Sequence, residues 1–309
     1  MLSPCSEREI FIFLLSITLG IISKETKAQN SENNLDSLLT SIDKPSKEYI
    51  KGTFKATRVI NLQSTEKTAP GSLQFLIQHR FGPVNGGAYQ FFGLDQAGLR
   101  LGLEYGVSKL FSVGVGRSTY NKNYDGYTKV SILRQSKGRG SLPFSILYFG
   151  SVAVNSLHIT DQYRPNYFST RLSYTNQLII ASKVNKNFSF ELVPTFIHKN
   201  LAVTVNDPND FLALGVGLRY KLSKRVSINA EYVYRIPPKN KSVVSYANFY
   251  NSLSFGFDIE TGGHVFQLIL TNSLGMYETA YITETTQQWS KAGIQLGFNI
   301  SRDFTFKKK

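Results

Sequence analysis

The chain has 309 residues, of which 41% are hydrophobic and 18% charged, with a formal net charge of +14. This composition supports a packed core or a membrane domain and excludes wholesale disorder. The single cysteine, Cys5, precedes the first apolar run, so the chain after that run has no disulfide framework, cysteine-ligated metal or cysteine nucleophile.

The chain begins with a segment typical of an export signal. Residues 10–23 read IFIFLLSITLGIIS, which is shorter than the roughly 20 residues of a membrane-spanning helix. We therefore predict a signal peptide over residues 1–29, cleaved near Ala28 or Gln29. No other stretch of the sequence reaches the length of a membrane helix, so an exported membrane protein must cross the bilayer as a closed β-barrel.

Two segments separate this signal peptide from the main repeat pattern. Residues 30–51 are polar, and we interpret them as a periplasmic linker with at most a short helix before Pro45. Residues 52–71 contain GTFKATRVINLQS, which resembles a strand in its β-branched content.

From Gly52 onward, the sequence alternates with the period of a β-strand. Around Leu99, one face carries leucine and tyrosine and the other carries Arg100, Gly102, Glu104 and Gly106. The same division recurs around residues 212–220, 252–259 and 293–300. An apolar face opposed by small or charged residues over about ten positions is typical of a tilted strand in a transmembrane barrel.

The connections between these segments predict the strand count. Short and long links alternate along the chain, as periplasmic turns and extracellular loops do in such barrels. Residues 72–309 then form an all-β, up-and-down antiparallel barrel of twelve strands in the bacterial outer membrane. Residues 52–71 cannot add a thirteenth strand to an even-numbered wall, so we hypothesise that they enter the lumen as a plug or pair at the periplasmic rim.

The basic residues concentrate in the short turns and the C-terminal tail. Basic side chains at the inner rim can anchor the barrel to lipid headgroups, which we favour, or can bind an acidic periplasmic partner. The basic residues are scattered over several turns and do not form a stripe with stacking aromatics, which argues against nucleic acid as a partner.

Charged residues on the polar strand faces are the candidates for lining the lumen. We favour a role in ion pairs between strands, since buried charges need partners, over the alternative of a weakly anion-selective constriction. The candidates are Arg80, Arg100, Glu104, Arg117, Lys129, Arg171, Glu191, Arg219, Glu231, Arg235 and Asp258.

The sequence contains little that suggests catalysis. Barrel hydrolases need a histidine close to a serine nucleophile, and no His-Ser or His-x-Ser pair occurs. His158 and Asp161 are close in sequence but lack a third ligand nearby, so we predict no enzyme, metal site or cofactor. Aromatic residues bracket the strands as interfacial belts do, and Phe304 and Phe306 resemble the terminal signal that barrel-insertion machinery recognises.

Several short motifs resemble a bacterial membrane β-barrel family catalogued as domain of unknown function 5777. The resemblance covers nearly everything after residue 50, and it implies an outer-membrane barrel but no substrate or catalytic residue. The motifs are HRFG at 79–82, FFGLD at 91–95, YDG at 124–126, FDIETGGHVFQL at 257–268, ITETT at 282–286 and GFNISR at 297–302.

Two functions are compatible with these features. A lumen of twelve strands can pass a small solute or be occluded by its own chain, so our leading interpretation is a pore or transporter for a small solute. The alternative is a closed structural or interaction barrel that docks a periplasmic partner.

Overall fold

The computed structural model describes residues 47–138, 140–157, 165–202, 204, 207–238 and 248–306. The predicted signal peptide and residues 30–46 of the predicted linker lie outside the described residues, as do His158 and Asp161. Among the described residues, no helix is both long and apolar enough to cross a membrane.

Twelve antiparallel strands close into a barrel, which confirms the predicted fold. Each strand pairs with its neighbour along the chain, and the last strand pairs with the first, so the wall has no open edge. The wall strands are β2 (Ser72–Pro83), β3 (Ala97–Gly106), β4 (Phe111–Ser118), β5 (Tyr124–Leu133), β7 (Ser145–Val154), β8 (Leu172–Lys183), β9 (Phe188–Lys199), β10 (Asp210–Lys221), β11 (Val226–Arg235), β12 (Ser252–Thr261), β13 (His264–Thr271) and β14 (Gln295–Thr305).

Two further strands lie outside the wall. β1 (Glu48–Tyr49) and β6 (Ser136–Lys137) pair with each other as a small separate sheet. They lie at the end of the barrel where β2 begins and β14 ends, which we call the turn end. The opposite end, which carries the connection between β13 and β14, is called the loop end.

The link lengths differ from the predicted strict alternation at two places. The link between β4 and β5 is short, because β5 begins at Tyr124, whose partners are Arg117 and Val154. The link between β5 and β7 at the turn end is longer than predicted, because it contributes β6 to the small sheet. Link length alone therefore did not identify the two ends of the barrel.

Alternate residues of each strand face lipid and lumen. On β3, Leu101 is 40% exposed at the outer surface, whereas its neighbour Arg100 is fully buried inside. The outer face is predominantly apolar and matches acyl chains, as a barrel in the outer membrane requires.

The inner face is not uniformly small or charged, as the alternation had suggested. On β7, β8 and β9, several inward residues are apolar and belong to one buried cluster. They include Leu147, Phe149, Ile179, Val193 and Ile197. Apolar residues on an inner wall need a partner that excludes water, so part of the chain must pack inside the barrel.

One glycine marks where the chain enters the barrel. Gly106 pairs with Pro70, and a Cβ atom at Gly106 would lie 2.1 Å from the backbone oxygen of Ala69. Gly106→Ala should therefore lower the free energy of unfolding by roughly 1–3 kcal/mol, because backbone atoms must shift. Thermal unfolding in detergent measures this change. The matched control is Gly126→Ala, whose added Cβ would meet no atom within 4 Å, and equal losses in the two variants would contradict the prediction.

Candidate functional site

Residues 53–68 lie inside the barrel, and we call them the plug segment. Most of its residues are buried, including Arg58, Asn61 and Ser64. It precedes the first wall strand, and its only bridge within itself pairs Arg58 with Gln63. The part of this segment from Thr53 to Ser64 corresponds to the strand-like sequence noted above.

Side chains of the wall satisfy the main-chain carbonyls of the plug segment. Each of the donors lies on a different wall strand, so the segment is held from several sides of the lumen. Arg219 Nη1 donates to Thr53 O (3.2 Å), Lys129 Nζ to Thr57 O (3.0 Å), Gln267 Nε2 to Val59 O (2.9 Å) and Asn299 Nδ2 to Ile60 O (3.1 Å).

Two glutamates of the wall accept the main-chain N–H groups. The Glu231 carboxylate takes the N–H groups of three consecutive residues, Ile60 (3.2 Å), Asn61 (3.0 Å) and Leu62 (2.9 Å). Glu104 Oε1 takes the N–H of Thr68 at 3.1 Å. Glu231 is therefore the principal anchor of the plug segment, because charged acceptors form the stronger hydrogen bonds.

The plug segment also packs against the apolar side of the lumen. Phe54, Val59, Ile60 and Leu62 belong to the same buried cluster as the inward residues of β7–β9. The hydrophobic core of this protein thus lies inside the barrel and is shared between wall and plug segment. Its burial opposes release of the segment into water.

A second element closes the lumen from the loop end. Residues 272–294, which we call the luminal loop, connect β13 to β14 and contain the helix α1 (Glu278–Thr283), all six residues of which are buried. Thr279 Oγ1 lies 3.2 Å from Ser173 Oγ on β8. Glu284 accepts a hydrogen bond from Lys199 (2.6 Å), which ties the end of the helix to β9.

The plug segment and the luminal loop meet inside the barrel. Arg58 Nη1 lies 3.0 Å from Glu278 Oε1, with both side chains 2% exposed. Gln63 Nε2 donates to the same oxygen at 2.8 Å. This contact joins the closure from the turn end to the closure from the loop end.

The structure places nine of the predicted lumen residues on the buried inner face: Arg80, Arg100, Glu104, Lys129, Glu191, Arg219, Glu231, Arg235 and Asp258. Two ion pairs join β3 to β5 across the intervening strand β4: Arg100 with Asp125, and Glu104 with Lys129. The charges are therefore largely paired with one another or with the plug segment.

Two predicted lumen residues do not line the lumen. Arg117 lies on the outer face of β4, where its guanidinium stacks over the Tyr124 ring at 4.7 Å. Arg171 precedes β8, and its guanidinium donates to Asn166 Oδ1 and Leu157 O within the adjoining loop. Arg117 follows the alternation, since it lies on the same side of β4 as the exposed Val113 and Val115. Arg171 lies before the first residue of β8, where the alternation does not apply.

Sequence reasoning missed the residues that join the two closures. Arg58 and Glu278 are far apart along the chain, and neither sits in a recognisable motif. The apolar residues at inward positions of β7–β9, such as Phe149, Ile179 and Val193, were the available signal that the lumen holds packed chain.

Glu66 is one of the ionisable groups at the entry of the plug segment. Its carboxylate accepts the N–H of Thr53 at 2.9 Å and so closes the segment into a loop. Burial raises the pKa of Glu66 above its ordinary value, and the N–H donors of Thr53 and Phe54 oppose that shift only in part. Within the described ranges, no group of three or more metal-ligating side chains is arranged to hold a metal.

One known protein family matches most of this chain. The model of the family described as "Membrane bound beta barrel domain (DUF5777)" matches residues 54–304. The chain belongs to this family. The match includes the plug segment from residue 54 onward and reaches all twelve wall strands. The assignment agrees with the resemblance found in the sequence.

Similar solved structures are outer-membrane proteins of low sequence identity. The KdgM porin is 12% identical, covering 76% of this chain and 99% of that chain, with a TM-score of 0.43. The NanC porin is 11% identical over 76% and 100%, with a TM-score of 0.46. An outer membrane channel from Pseudomonas putida F1 is 9% identical over 77% and 97%, also with a TM-score of 0.46. No curated protein matches the chain.

Proposed function

We propose that this barrel is a gated channel for a small solute and that the structure represents its closed state. One observation carries this proposal: the plug segment precedes β2, and the wall closes between β14 and β2 without it. The segment can therefore leave the lumen while every hydrogen bond of the wall ladder stays in place.

The contacts of the plug segment suit reversible release. Wall side chains, rather than a strand ladder, hold its main chain through Lys129, Gln267, Asn299 and Glu231. Water or a polar solute can replace such hydrogen bonds at small net cost. The apolar contacts of Phe54 and Leu62 keep the closed state favoured until a ligand or partner shifts the balance.

Glu231→Ala should loosen the plug segment and raise solute permeability. The change leaves three buried N–H groups without their acceptor, each worth about 1–3 kcal/mol, so the closed state loses population. We expect several-fold faster swelling of proteoliposomes in a small uncharged sugar. Asp258→Asn is the matched control, because it removes a buried charge of the inner wall but keeps a side-chain oxygen that can accept from Gln267. The hydrogen bond of Gln267 to Val59 O therefore stays in place.

Unchanged permeability in a correctly folded Glu231→Ala barrel would favour the second candidate, a closed interaction barrel that docks an acidic periplasmic partner. A groove at the turn end favours this candidate, because it is lined by five lysines and a single acidic residue, Glu48. The lysines are Lys51, Lys137, Lys183, Lys186 and Lys221. Export by the predicted signal peptide, insertion by the barrel-insertion machinery and anchoring to outer-membrane lipid belong to either function.

A further inference from the structure

Two buried carboxyl groups face each other across a glycine in the wall. Gly217 on β10 pairs with Glu191 on β9 and with Glu231 on β11, so the three residues form one row on the inner face. The Glu191 Cγ and Oε1 atoms lie 2.7 and 2.9 Å from where a Gly217 Cβ would be. Glu191 therefore leans over Gly217 toward β11, in the space that a side chain at this position would fill.

The two carboxyl groups differ in their partners. Glu231 accepts three main-chain N–H groups from the plug segment. Glu191 is fully buried, and within the described residues neither of its oxygens has a hydrogen-bond partner. A fully buried carboxyl group without a donor is costly and rare, so its presence calls for an explanation.

We propose that Glu191 and Glu231 form a binding site for the ammonium group of a cationic solute. The proposal rests on the channel function above and names the class of its solute. In the closed state, the N–H groups of residues 60–62 occupy the Glu231 half of this site. An ammonium group presents three donors and a positive charge, so it can replace those N–H groups and also supply the donor that Glu191 lacks.

The rest of the surroundings agree with a cation rather than an anion. The basic group that acts electrostatically on Glu191 is Lys129. That amine is engaged by Glu104 at 3.1 Å and by Thr57 O at 3.0 Å. A carboxylate solute at Gly217 would meet two carboxyl groups and would be repelled.

Ligand and plug segment compete for Glu231, so binding is coupled to opening. A cation that binds only when the segment has left shifts the channel toward the open state. The coupling predicts that ligand addition exposes the amides of residues 60–62 to solvent. This readout does not depend on whether the barrel conducts.

The test uses putrescine and the full-length protein folded in detergent. Isothermal titration calorimetry should detect putrescine binding in the wild type or in a full-length variant whose residues 53–68 are replaced by glycine and serine. Glu191→Gln preserves the shape of the side chain and should weaken binding about tenfold or more, because it removes a charge-assisted hydrogen bond. Asp258→Asn should bind putrescine as the wild type does, and succinate should not bind.

Hydrogen exchange supplies the second measurement. Putrescine should accelerate exchange of the amides of residues 60–62 in the wild type and should do so much less in Glu191→Gln. The site would be overturned if putrescine bound neither the wild type nor the variant with residues 53–68 replaced. Equal putrescine affinity in the wild type and in Glu191→Gln would overturn it as well. Permeability without binding would reject only the site, whereas binding without permeability would reject only the channel.

Discussion

Replacing residues 53–68 with a glycine–serine segment of the same length is expected to make the barrel conduct ions in a planar bilayer. The replacement removes the side chains of Phe54 and Leu62 from the luminal core and provides no fixed conformation for the wall side chains to hold. The wall should stay folded, because its ladder closes between β14 and β2. The luminal loop should still narrow the pore.

Full conductance is expected only when the luminal loop is also removed from the lumen. Replacing residues 276–284 in the same way takes out α1, which is buried along its whole length. The double replacement should show a larger and steadier current than either single one. A folded double variant that stays silent would contradict the channel and support a closed structural barrel.

Arg58→Ala is expected to have the largest effect of any single substitution in the plug segment. It leaves the Glu278 carboxylate, 2% exposed, without its cationic partner. Removing one partner of a buried ion pair costs about 3–5 kcal/mol. The free energy of opening of the plug segment should fall by this amount, as measured from the exchange rates of the amides of residues 59–63.

An exposed ion pair in the same segment supplies the matched control. Lys55 pairs with Glu260 at the rim, where the two side chains are 30% and 37% exposed. Lys55→Ala should therefore lower the free energy of opening by no more than about 1 kcal/mol. The double substitution Arg58→Met and Glu278→Leu should recover much of the loss, because it removes both buried charges together. Similar losses in Arg58→Ala and Lys55→Ala would rule out a special role for the inner contact.

The candidate site could be predicted from the sequence only in part. Strand alternation brought Arg100, Glu104, Glu191 and Glu231 to the inner face, because a residue's side of a β-strand depends on its position alone. The prediction for Arg117 was wrong because the same rule places it outward, on the face of Val113 and Val115. Arg171 precedes the ladder of β8, where the rule does not apply, and its guanidinium contacts the adjoining loop.

The sequence by itself determined the barrel. A lipid bilayer accommodates only a closed wall whose outward residues are mostly apolar, and the strands of the sequence show the alternation that this requires. The alternation and the even strand count were therefore enough to predict twelve strands. Only the tertiary structure decided what fills the lumen. The contacts of Arg58 with Glu278 and of Glu231 with residues 60–62 join positions far apart in the chain, and no local periodicity encodes them. Such contacts depend on the shape of the space that the finished wall encloses.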